Sequence, residues 1–251
     1  MTLTGKHALV TGGGTGIGLA IARALAAQGA QVTITGRRLA VLQEVASPGL
    51  HPAAMDVTDE TQVRETIRAS VAARGPLQIV VANAGIAEGR KLHKTDTAFW
   101  RRIMATNLDG AVLTIRESLD SMLTTDWGRG IAISSMAGLR GMPGGGAYAT
   151  SKHAVIGMMR SFSEDFIGTG FTFNTICPGY VATDIITRNV DAIQARAGVS
   201  ADEALAMMVG ANRHKRLIAP EEVAEAALWL CSPQSGSING EEIKIAGGQI
   251  G

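Results

Sequence analysis

A tyrosine and a lysine four residues apart form the first pair in this sequence that could carry out acid–base chemistry. Tyr148 and Lys152 lie in a stretch with helical periodicity, so their side chains share one face of a helix. A free phenol titrates near ~10, too high for an efficient acid or base at neutral pH. A neighbouring ammonium favours the phenolate and lowers that pKa. The pair could therefore transfer a proton at an oxygen atom, although Tyr-x-x-x-Lys alone is commonplace and more typical of a solvated helix.

A glycine-rich turn near the amino terminus predicts a nucleotide site. A short apolar strand runs into Thr11-Gly-Gly-Gly-Thr-Gly-Ile-Gly18, and an amphipathic helix follows. Free N–H groups and the dipole at a helix start attract an anion, and glycines let the backbone approach a pyrophosphate closely. The spacing Gly12-x-x-x-Gly16-x-Gly18 differs from the common Gly-x-Gly-x-x-Gly fingerprint. No Gly-Lys-Ser/Thr follows, which argues against a kinase or NTPase.

The end of the second predicted strand bears on cofactor choice. Dinucleotide-binding folds that select NAD place Asp or Glu there, about twenty residues past the glycines, to bind the ribose 2′-OH. Here the strand ends in Gly36-Arg37-Arg38, without a carboxylate. An arginine offers a planar, charged fork to a 2′-phosphate. The sequence thus favours NADP(H), with Arg37 the first expected contact. NAD(H) stays an alternative if both arginines are simply solvated.

Short apolar runs alternate with helical patterns, and these elements must position the motifs. Seven runs have the length and composition of buried strands: 6–11, 31–35, 51–55, 77–82, 130–134, 171–177 and 242–246. Helical patterns lie between them, at 16–28, 39–45, 58–74, 96–124, 147–167 and 220–231. The alternation predicts one α/β domain over 1–251, with a parallel sheet of about seven strands and right-handed crossovers.

Three features add detail to this pattern: a helix start, a long helical region and an insertion. Thr58 is the predicted N-cap of the helix that runs to Arg74. The region 96–124 is long enough for two helices. Residues 182–219 interrupt the alternation late in the chain and predict an inserted lid.

Composition excludes several classes of protein. Hydrophobic residues make up 46% and charged residues 18%, an ordinary globular composition that excludes a mostly disordered chain. The 23 Lys and Arg nearly balance the 22 Asp and Glu, so no basic excess points to nucleic acid. No apolar run reaches ~18 residues and no signal peptide is evident, so we expect a cytoplasmic protein that does not enter the membrane.

Cysteines and histidines suggest neither a disulfide framework nor a metal site. Cys177 and Cys231 lie in apolar runs, which is typical of buried, inert thiols. Four histidines lack metal-ligand spacing with cysteines or carboxylates: His51, His93, His153 and His214. We therefore expect no bound metal.

Taken together, the motifs resemble those of the short-chain dehydrogenase/reductase family over nearly the whole chain. After the glycine turn come Asn83-Ala84-Gly85, Asn107 in Asn-Leu-x-Gly, Ser135 thirteen residues before Tyr148, the Tyr148-x-x-x-Lys152 pair, and Pro178-Gly179-Tyr-Val181-x-Thr183. Within the family, the layout looks like that of 3-oxoacyl reductases and 3-hydroxyacyl dehydrogenases. The resemblance implies a Rossmann-type, doubly wound parallel sheet with helices on both faces.

The resemblance also implies a reaction and a role for each motif. Hydride passes between the nicotinamide of NAD(P) and a carbonyl or secondary alcohol, without a metal. Ser135 binds the carbonyl oxygen, Tyr148 transfers the proton, and Lys152 holds the nicotinamide ribose. Asn107 binds a water that links Lys152 to solvent, and Asp56 and Asn83 flank the adenine side. The implied catalytic residues are Asn107, Ser135, Tyr148 and Lys152. The implied cofactor-binding residues are Gly12, Thr15, Gly16, Ile17, Gly18, Arg37, Arg38, Asp56, Val57, Asn83, Ala84, Gly85, Tyr148, Lys152, Pro178, Gly179, Val181 and Thr183.

Substrate identity is the least determined feature. The predicted lid contains apolar residues that could line an acyl pocket: Ala204, Leu205, Met207, Met208 and Val209. It also contains cations that could meet a phosphopantetheine or CoA phosphate: Arg188, Arg196, Arg213, Lys215 and Arg216. The alternative is a solvated basic edge. Simple ketones, steroids and polyols stay open as substrates.

Two other functional classes fit the same fold less well. A non-catalytic dinucleotide-binding sensor predicts a damaged catalytic set, whereas all four implied residues are present. An epimerase or dehydratase of the family tends to have a longer chain with a larger carboxyl-terminal region. The resemblance further implies a homotetramer or homodimer that pairs the helices near 106–124 and 147–167 across a two-fold axis.

Overall fold

Seven parallel strands form one sheet in the order β3-β2-β1-β4-β5-β6-β7. The computed structural model describes residues 2–249, apart from the side chains at positions 188, 192, 196 and 211. The strands are β1 (His7–Thr11), β2 (Gln31–Gly36), β3 (Leu50–Ala54), β4 (Leu77–Ala82), β5 (Gly128–Ile133), β6 (Phe171–Pro178) and β7 (Glu242–Ile245). The strand order reverses between β1 and β4, and such a switch point opens a crevice at the carboxyl ends of the strands. The predicted doubly wound fold is confirmed.

Helices cover both faces of this sheet. They are α1 (Gly16–Ala27), α2 (Leu39–Glu44), α3 (Glu60–Arg74), α4 (Thr97–Met104), α5 (Gly110–Met122), α6 (Gly146–Asp165), α7 (Asp184–Ala197), α8 (Ala201–Ala211) and α9 (Pro220–Leu230). Side chains alternate along each strand, so Val10 packs with α1 and α9, whereas Leu9 packs with α3, α5 and α6. Two cores therefore hold the sheet rigid between them.

The start of α3 differs from the prediction. Its N-cap is Asp59, whose carboxylate accepts hydrogen bonds from the backbone N–H groups of Thr61 and Gln62. The hydroxyl of Thr58 instead donates to Oδ1 of Asp56 at 2.8 Å. A carboxylate carries a full negative charge at the positive end of the helix dipole, so it is the stronger cap.

A π-helical turn over Ala105–Asp109 joins α4 to α5. The predicted pair of helices is thus nearly continuous, with one wider turn between them. Such a turn closes i→i+5 hydrogen bonds, and π-turns inside helices occur frequently at functional sites. It places Asn107, which is 1% exposed, inside the protein rather than on the helix surface.

The lid segment, residues 182–219, contains α7 and α8 and returns close to where it leaves the sheet. Val181 and Ile218 form a parallel bridge at its base. The N–H of Ile218 donates to the carbonyl of Tyr180 at 2.9 Å, and that of Ala182 donates to the carbonyl of Ile218 at 2.9 Å. The segment is therefore fastened at both ends beside the carboxyl edge of β6. None of the described helices has the length and apolar character that crossing a membrane requires.

Candidate active site

Ser135, Tyr148 and Lys152 come together at the carboxyl end of β5. Ser135 follows this strand by two residues, and α6 carries Tyr148 in its first turn and Lys152 one turn later. The hydroxyl of Ser135 lies close enough to that of Tyr148 to lower the pKa of the phenol. The Lys152 Nζ lies 5.9 Å from the centroid of the Tyr148 ring and donates to the carbonyl of Ile133 at 2.8 Å. The structure thus gathers a hydrogen-bond donor, a phenol and a cation at one point.

Burial dominates the electrostatics of this group. Loss of solvent raises the pKa of Tyr148, and the Ser135 hydroxyl acts in the opposite direction. Burial also lowers the pKa of Lys152 to about 8. The expectation that the ammonium lowers the Tyr148 pKa is therefore not met without a ligand. The physical reason is that desolvation outweighs a cation whose hydrogen bond goes to a backbone carbonyl.

The neighbouring serines Ser134 and Ser135 contact different partners. The hydroxyl of Ser134, which is buried, donates to the carbonyl of Lys152 at 2.9 Å and so ties β5 to α6. Ser135 turns toward Tyr148 and also accepts a hydrogen bond from the N–H of Ala137 at 3.1 Å. Only Ser135 faces the phenol, as the strand alternation predicts.

Asn107 holds the loop after β4 against α6. Its Oδ1 accepts from the N–H of Ile86 at 2.8 Å, while Nδ2 donates to the carbonyl of Ile86 at 3.0 Å and to Oγ of Ser151 at 3.1 Å. A Cβ on Gly85 would lie 3.2 Å from Oδ1 of Asn107 and 3.5 Å from Nζ of Lys152. Asn107 is therefore next to Lys152, and these bonds explain an asparagine at a helical position with poor propensity. The water relay implied for it stays a prediction.

The glycine turn has the shape that a dinucleotide pyrophosphate requires. Gly12 and Gly16 adopt φ values of 65° and 52°, which side chains other than glycine rarely adopt. A Cβ on Gly18 would overlap the carbonyl of Gly12. Thr15 precedes α1 as its N-cap without a side-chain hydrogen bond to the helix. The first N–H groups of α1, including those of Ile17 and Gly18, are thus left to bind an anion.

Thr11 and Asn83 join the ends of the two central strands. Oγ1 of Thr11 accepts from the N–H groups of Asn83 and Ala84 at 3.0 Å each. Nδ2 of Asn83 donates to the carbonyls of Thr11 at 2.8 Å and Gly12 at 3.3 Å. The Asn83 side chain therefore shapes the glycine turn, while the backbone of Asn83-Ala84-Gly85 borders the crevice.

The predicted adenine-side residues divide between surface and core. Oδ1 of Asp56 accepts from the N–H of Thr58 at 3.0 Å and from its hydroxyl. Val57 is 7% exposed and belongs to the core beside α5, so its backbone rather than its side chain is available to a ligand. Arg37 and Arg38 are both exposed just after β2.

The segment from Pro178 to Thr183 meets the glycine turn. The side chain of Thr183 lies 3.0 Å from where a Cβ on Gly16 would be. Gly179 is equally constrained, because a Cβ there would lie 2.8 Å from Oδ1 of Asn212. Within the segment, the side chain of Val181 is buried. The two ends of the implied dinucleotide site are therefore built against each other.

A cavity of about 450 Å³ opens beside Ser135 and Tyr148. The lid supplies Ile185, Ile186, Asn189, Ile193 and Met208 to its lining, and the loop before α6 supplies Arg140, Met142, Pro143, Gly144 and Gly145. Tyr180 and Gln249 also line it. Sequence reasoning missed Arg140, Tyr180 and Gln249. Arg140 could have been found from its place between the two catalytic motifs, whereas Gln249 has no sequence signal that separates it from an ordinary chain end.

The predicted lid residues contribute less to the cavity than expected. Met208 lines it, whereas Met207 is 58% exposed. Arg216 forms an ion pair with Glu222, and Nζ of Lys215 donates to the carbonyl of Gly210 at 3.3 Å. Arg213 lies against Gly248 instead of the cavity. The side chains of Arg188 and Arg196 lie outside the described residues. Among the described side chains, the cation that lines the cavity is Arg140, from the loop between Ser135 and Tyr148.

Other sequence-based expectations concern thiols and metals. Cys177 and Cys231 are free and buried, and burial raises their pKa to about 11 and about 12, so both are inert thiols as predicted. Within residues 2–249, no cluster of three or more His, Cys, Asp or Glu side chains could hold a metal ion.

The fold and site point to a class: an α/β oxidoreductase of Rossmann type in which a serine, a tyrosine and a lysine cluster at the carboxyl end of β5. More specifically, the chain belongs to the short-chain dehydrogenase family, whose sequence profile matches residues 6–194. The family binds a nicotinamide dinucleotide and acts on hydroxyl or carbonyl groups. The chain is an NAD(P)-dependent oxidoreductase of this family.

Several relatives cover nearly the full length of the chain. It is 34% identical to a D-β-hydroxybutyrate dehydrogenase of Rhizobium meliloti, over 97% of this chain and 98% of that protein. It is 32% identical to a 3-oxoacyl-(acyl-carrier-protein) reductase of Aquifex aeolicus, over 99% and 98%. A crystal structure of an actinorhodin polyketide ketoreductase variant with NADPH superposes with a TM-score of 0.94 at 28% identity, covering 99% of both chains.

Proposed function

We propose that this protein is an NADP(H)-preferring reductase of 3-oxoacyl compounds, which it converts to 3-hydroxyacyl compounds. The observation that carries the proposal is that Ser135 and Tyr148 lie side by side at the wall of a mainly apolar cavity, with Lys152 behind them. Relatives at 32–34% identity are named for reactions at a carbonyl or hydroxyl of this kind.

The chain's own residues divide the chemistry between them. The hydroxyl of Ser135 donates a hydrogen bond to the substrate carbonyl oxygen as negative charge develops there. Bound NADPH supplies the hydride that reaches the carbonyl carbon. Tyr148 delivers its proton to the same oxygen, which completes the alcohol. Burial keeps this phenol protonated and ready to act as an acid, because its pKa is raised.

Lys152 binds the cofactor and reprotonates the site in this proposal. Its ammonium lies beside Gly85 and Asn107, where the ribose next to the nicotinamide would rest. With a pKa of about 8, this group can exchange a proton with water at neutral pH more readily than an exposed lysine.

The proposed preference for NADP(H) rests on Arg37 and Arg38. Both stand exposed directly after β2, the position where an NAD-selective enzyme carries a carboxylate. Arg38 is also the N-cap residue of α2 and makes no side-chain cap bond. Two guanidinium groups without a carboxylate suit a 2′-phosphate. The similar ketoreductase solved with NADPH agrees with this preference.

The cavity favours a substrate with an apolar chain. Ile185, Ile186, Ile193 and Met208 face it from the lid, which suits acyl carbons better than the hydroxyls of a polyol. Arg140 at the exposed rim could meet an anionic group on a carrier. A small ketone or steroid dehydrogenase is the alternative that the same apolar lining supports.

A non-catalytic role deserves comparison, because a relative 32% identical over 231 residues is named an inactive 2-(S)-hydroxypropyl-CoM dehydrogenase. In the present chain Asn107, Ser135, Tyr148 and Lys152 are all present and adjacent. This intact arrangement supports catalysis.

Steady-state turnover with a panel of substrates tests the proposal. Acetoacetyl-CoA, small ketones and polyols are each assayed with both cofactors in both directions. We expect the highest kcat/KM for acetoacetyl-CoA with NADPH. Higher kcat/KM for a polyol, or with NADH, would contradict the proposed substrate class or cofactor preference respectively.

A further inference from the structure

The chain has only two tyrosines, and both line the same cavity. Tyr148 is the proposed proton donor, whereas Tyr180 belongs to no part of the mechanism described above. The two phenol groups lie close enough for a charge on one to raise the pKa of the other. Tyr180 is therefore near the point where the substrate carbonyl would bind.

The backbone of Tyr180 is held firmly from two sides. Its N–H donates to Oδ1 of Asn212 at 3.3 Å, and its carbonyl accepts from Nδ2 of Asn212 at 3.1 Å and from the N–H of Ile218 at 2.9 Å. Asn212 itself is fully buried. These bonds fix the backbone position of Tyr180 at the base of the lid segment, which limits the positions that its hydroxyl can occupy.

The hydroxyl of Tyr180 makes no hydrogen bond to any of the described residues 2–249, even though the residue is half-buried. The hydroxyl is not among the buried polar atoms without a partner, so it is accessible from the cavity that Tyr180 lines. The lid side of the cavity offers mainly apolar side chains, among them Ile186, Ile193 and Met208. The Tyr180 hydroxyl is therefore available to donate a hydrogen bond to a molecule bound there.

We infer that Tyr180 is a specificity-determining residue that donates a hydrogen bond to a second substrate oxygen, the acyl carbonyl next to the reacting ketone. The inference rests on the proposed function and narrows it. A 3-oxoacyl compound carries its two carbonyls one carbon apart, so one oxygen meets Ser135 and Tyr148 while the other meets Tyr180. A ketone without the second oxygen forms no such bond with Tyr180, so its complex lacks the free energy that this bond contributes.

A matched pair of ketones tests this inference. Ethyl acetoacetate carries the second carbonyl, and 4-ethoxybutan-2-one lacks only that oxygen. The parental enzyme and Tyr180→Phe are assayed with both ketones and NADPH, and the ratio of kcat/KM between the two enzymes is taken for each ketone. Using a ratio for each ketone removes the difference in their intrinsic reactivity.

We expect Tyr180→Phe to lower kcat/KM for ethyl acetoacetate about tenfold, equivalent to about 1.4 kcal/mol. For 4-ethoxybutan-2-one we expect a change within about twofold, because no hydrogen bond is lost. Met208→Leu is the control: it alters apolar lining, so both ketones should respond alike.

The outcomes separate this inference from the proposed function. An equal loss with both ketones would mean that Tyr180 acts through packing or through Tyr148, and no loss with either would mean that it makes no such bond; each result overturns the inference alone. If the parental enzyme reduces no carbonyl compound at all, the proposed function fails and the inference fails with it.

Discussion

Lys152 carries a charge where a charge is costly. Burial lowers its pKa to about 8, whereas the free side chain titrates at 10.5. Between these two values the unfolded chain holds a proton that the folded chain has lost, so folding is favoured more as the pH rises. Below about pH 8 the full cost of the buried ammonium is present.

This cost predicts how stability changes with pH. The free energy of unfolding of the parental enzyme, relative to Lys152→Met, should rise by about 3 kcal/mol in total as the pH increases from about 8 to 10.5. Urea denaturation at several pH values measures it. Lys91→Met, at an exposed site, should show no such trend. A difference between parental enzyme and Lys152→Met that stays constant with pH would contradict the buried charge.

The exposed arginines after β2 predict cofactor selection. Replacing Arg37 and Arg38 with Ala should raise the KM for NADPH at least tenfold, a loss of ~1.4 kcal/mol, and leave the KM for NADH nearly unchanged. The reason is that only NADPH carries the 2′-phosphate. Because salt screens that phosphate, NADPH affinity should also fall more steeply with ionic strength than NADH affinity. Arg68→Ala, exposed on α3, is the matched control. An equal rise in the KM for NADPH and the KM for NADH would show that these arginines do not determine the cofactor preference.

At the scale of elements, one buried side chain fastens the lid segment. Asn212 bonds the backbone of Tyr180 on one side, and its Nδ2 also donates to the carbonyl of Arg216 at 2.8 Å. Asn212→Ala should lower the free energy of unfolding by about 1–3 kcal/mol, because it leaves buried backbone groups without partners. It should also speed hydrogen exchange of the amides between 180 and 218. Gln234→Ala, at an exposed site, should do neither. Unchanged exchange in the lid would show that other contacts hold it.

Element order was predictable because each strand is a continuous apolar run bounded by turn residues. For β4, the run Leu77–Ala82 is both the prediction and the observed strand. The predicted N-cap of α3 was wrong because Asp56, Thr58 and Asp59 could all cap this helix. Only the fold decides which of the three side chains accepts from the first N–H groups of α3. The π-turn around Asn107 could not be predicted from local sequence either. Asn107 there accepts a hydrogen bond from Ile86, twenty-one residues away, and no local pattern reveals this contact.

The clustering of Ser135, Tyr148 and Lys152 was predictable from motif spacing, whereas the residues that line the cavity were not. Ser135, Tyr148 and Lys152 stand at fixed spacings along β5 and α6. Tyr180 and Arg140 gain importance only from the cavity that the lid and the loop before α6 enclose. Such a cavity depends on tertiary packing, which no local pattern reports.

At the scale of the whole molecule, we predict a homo-oligomer, with α5 and α6 paired across a two-fold axis. On α6, Gly157 is exposed and a Cβ there would meet no atom within 4 Å, so a partner helix can approach closely. Gly157→Arg should therefore shift the assembly toward the monomer, whereas Gln43→Arg on α2 should not. Light scattering measures the mass. A parental mass near 26 kDa at micromolar concentration would contradict the prediction.

The central claim is that this molecule transfers a hydride to a carbonyl with Tyr148 as the proton donor. The most direct test is turnover of Tyr148→Phe with NADPH, beside a fluorescence titration of NADPH binding. We expect a loss of at least about 100-fold in turnover, because the general acid is gone, and nearly unchanged NADPH affinity, because the ring still fills its place. A Tyr148→Phe enzyme that retains more than about a tenth of the parental rate would contradict the account.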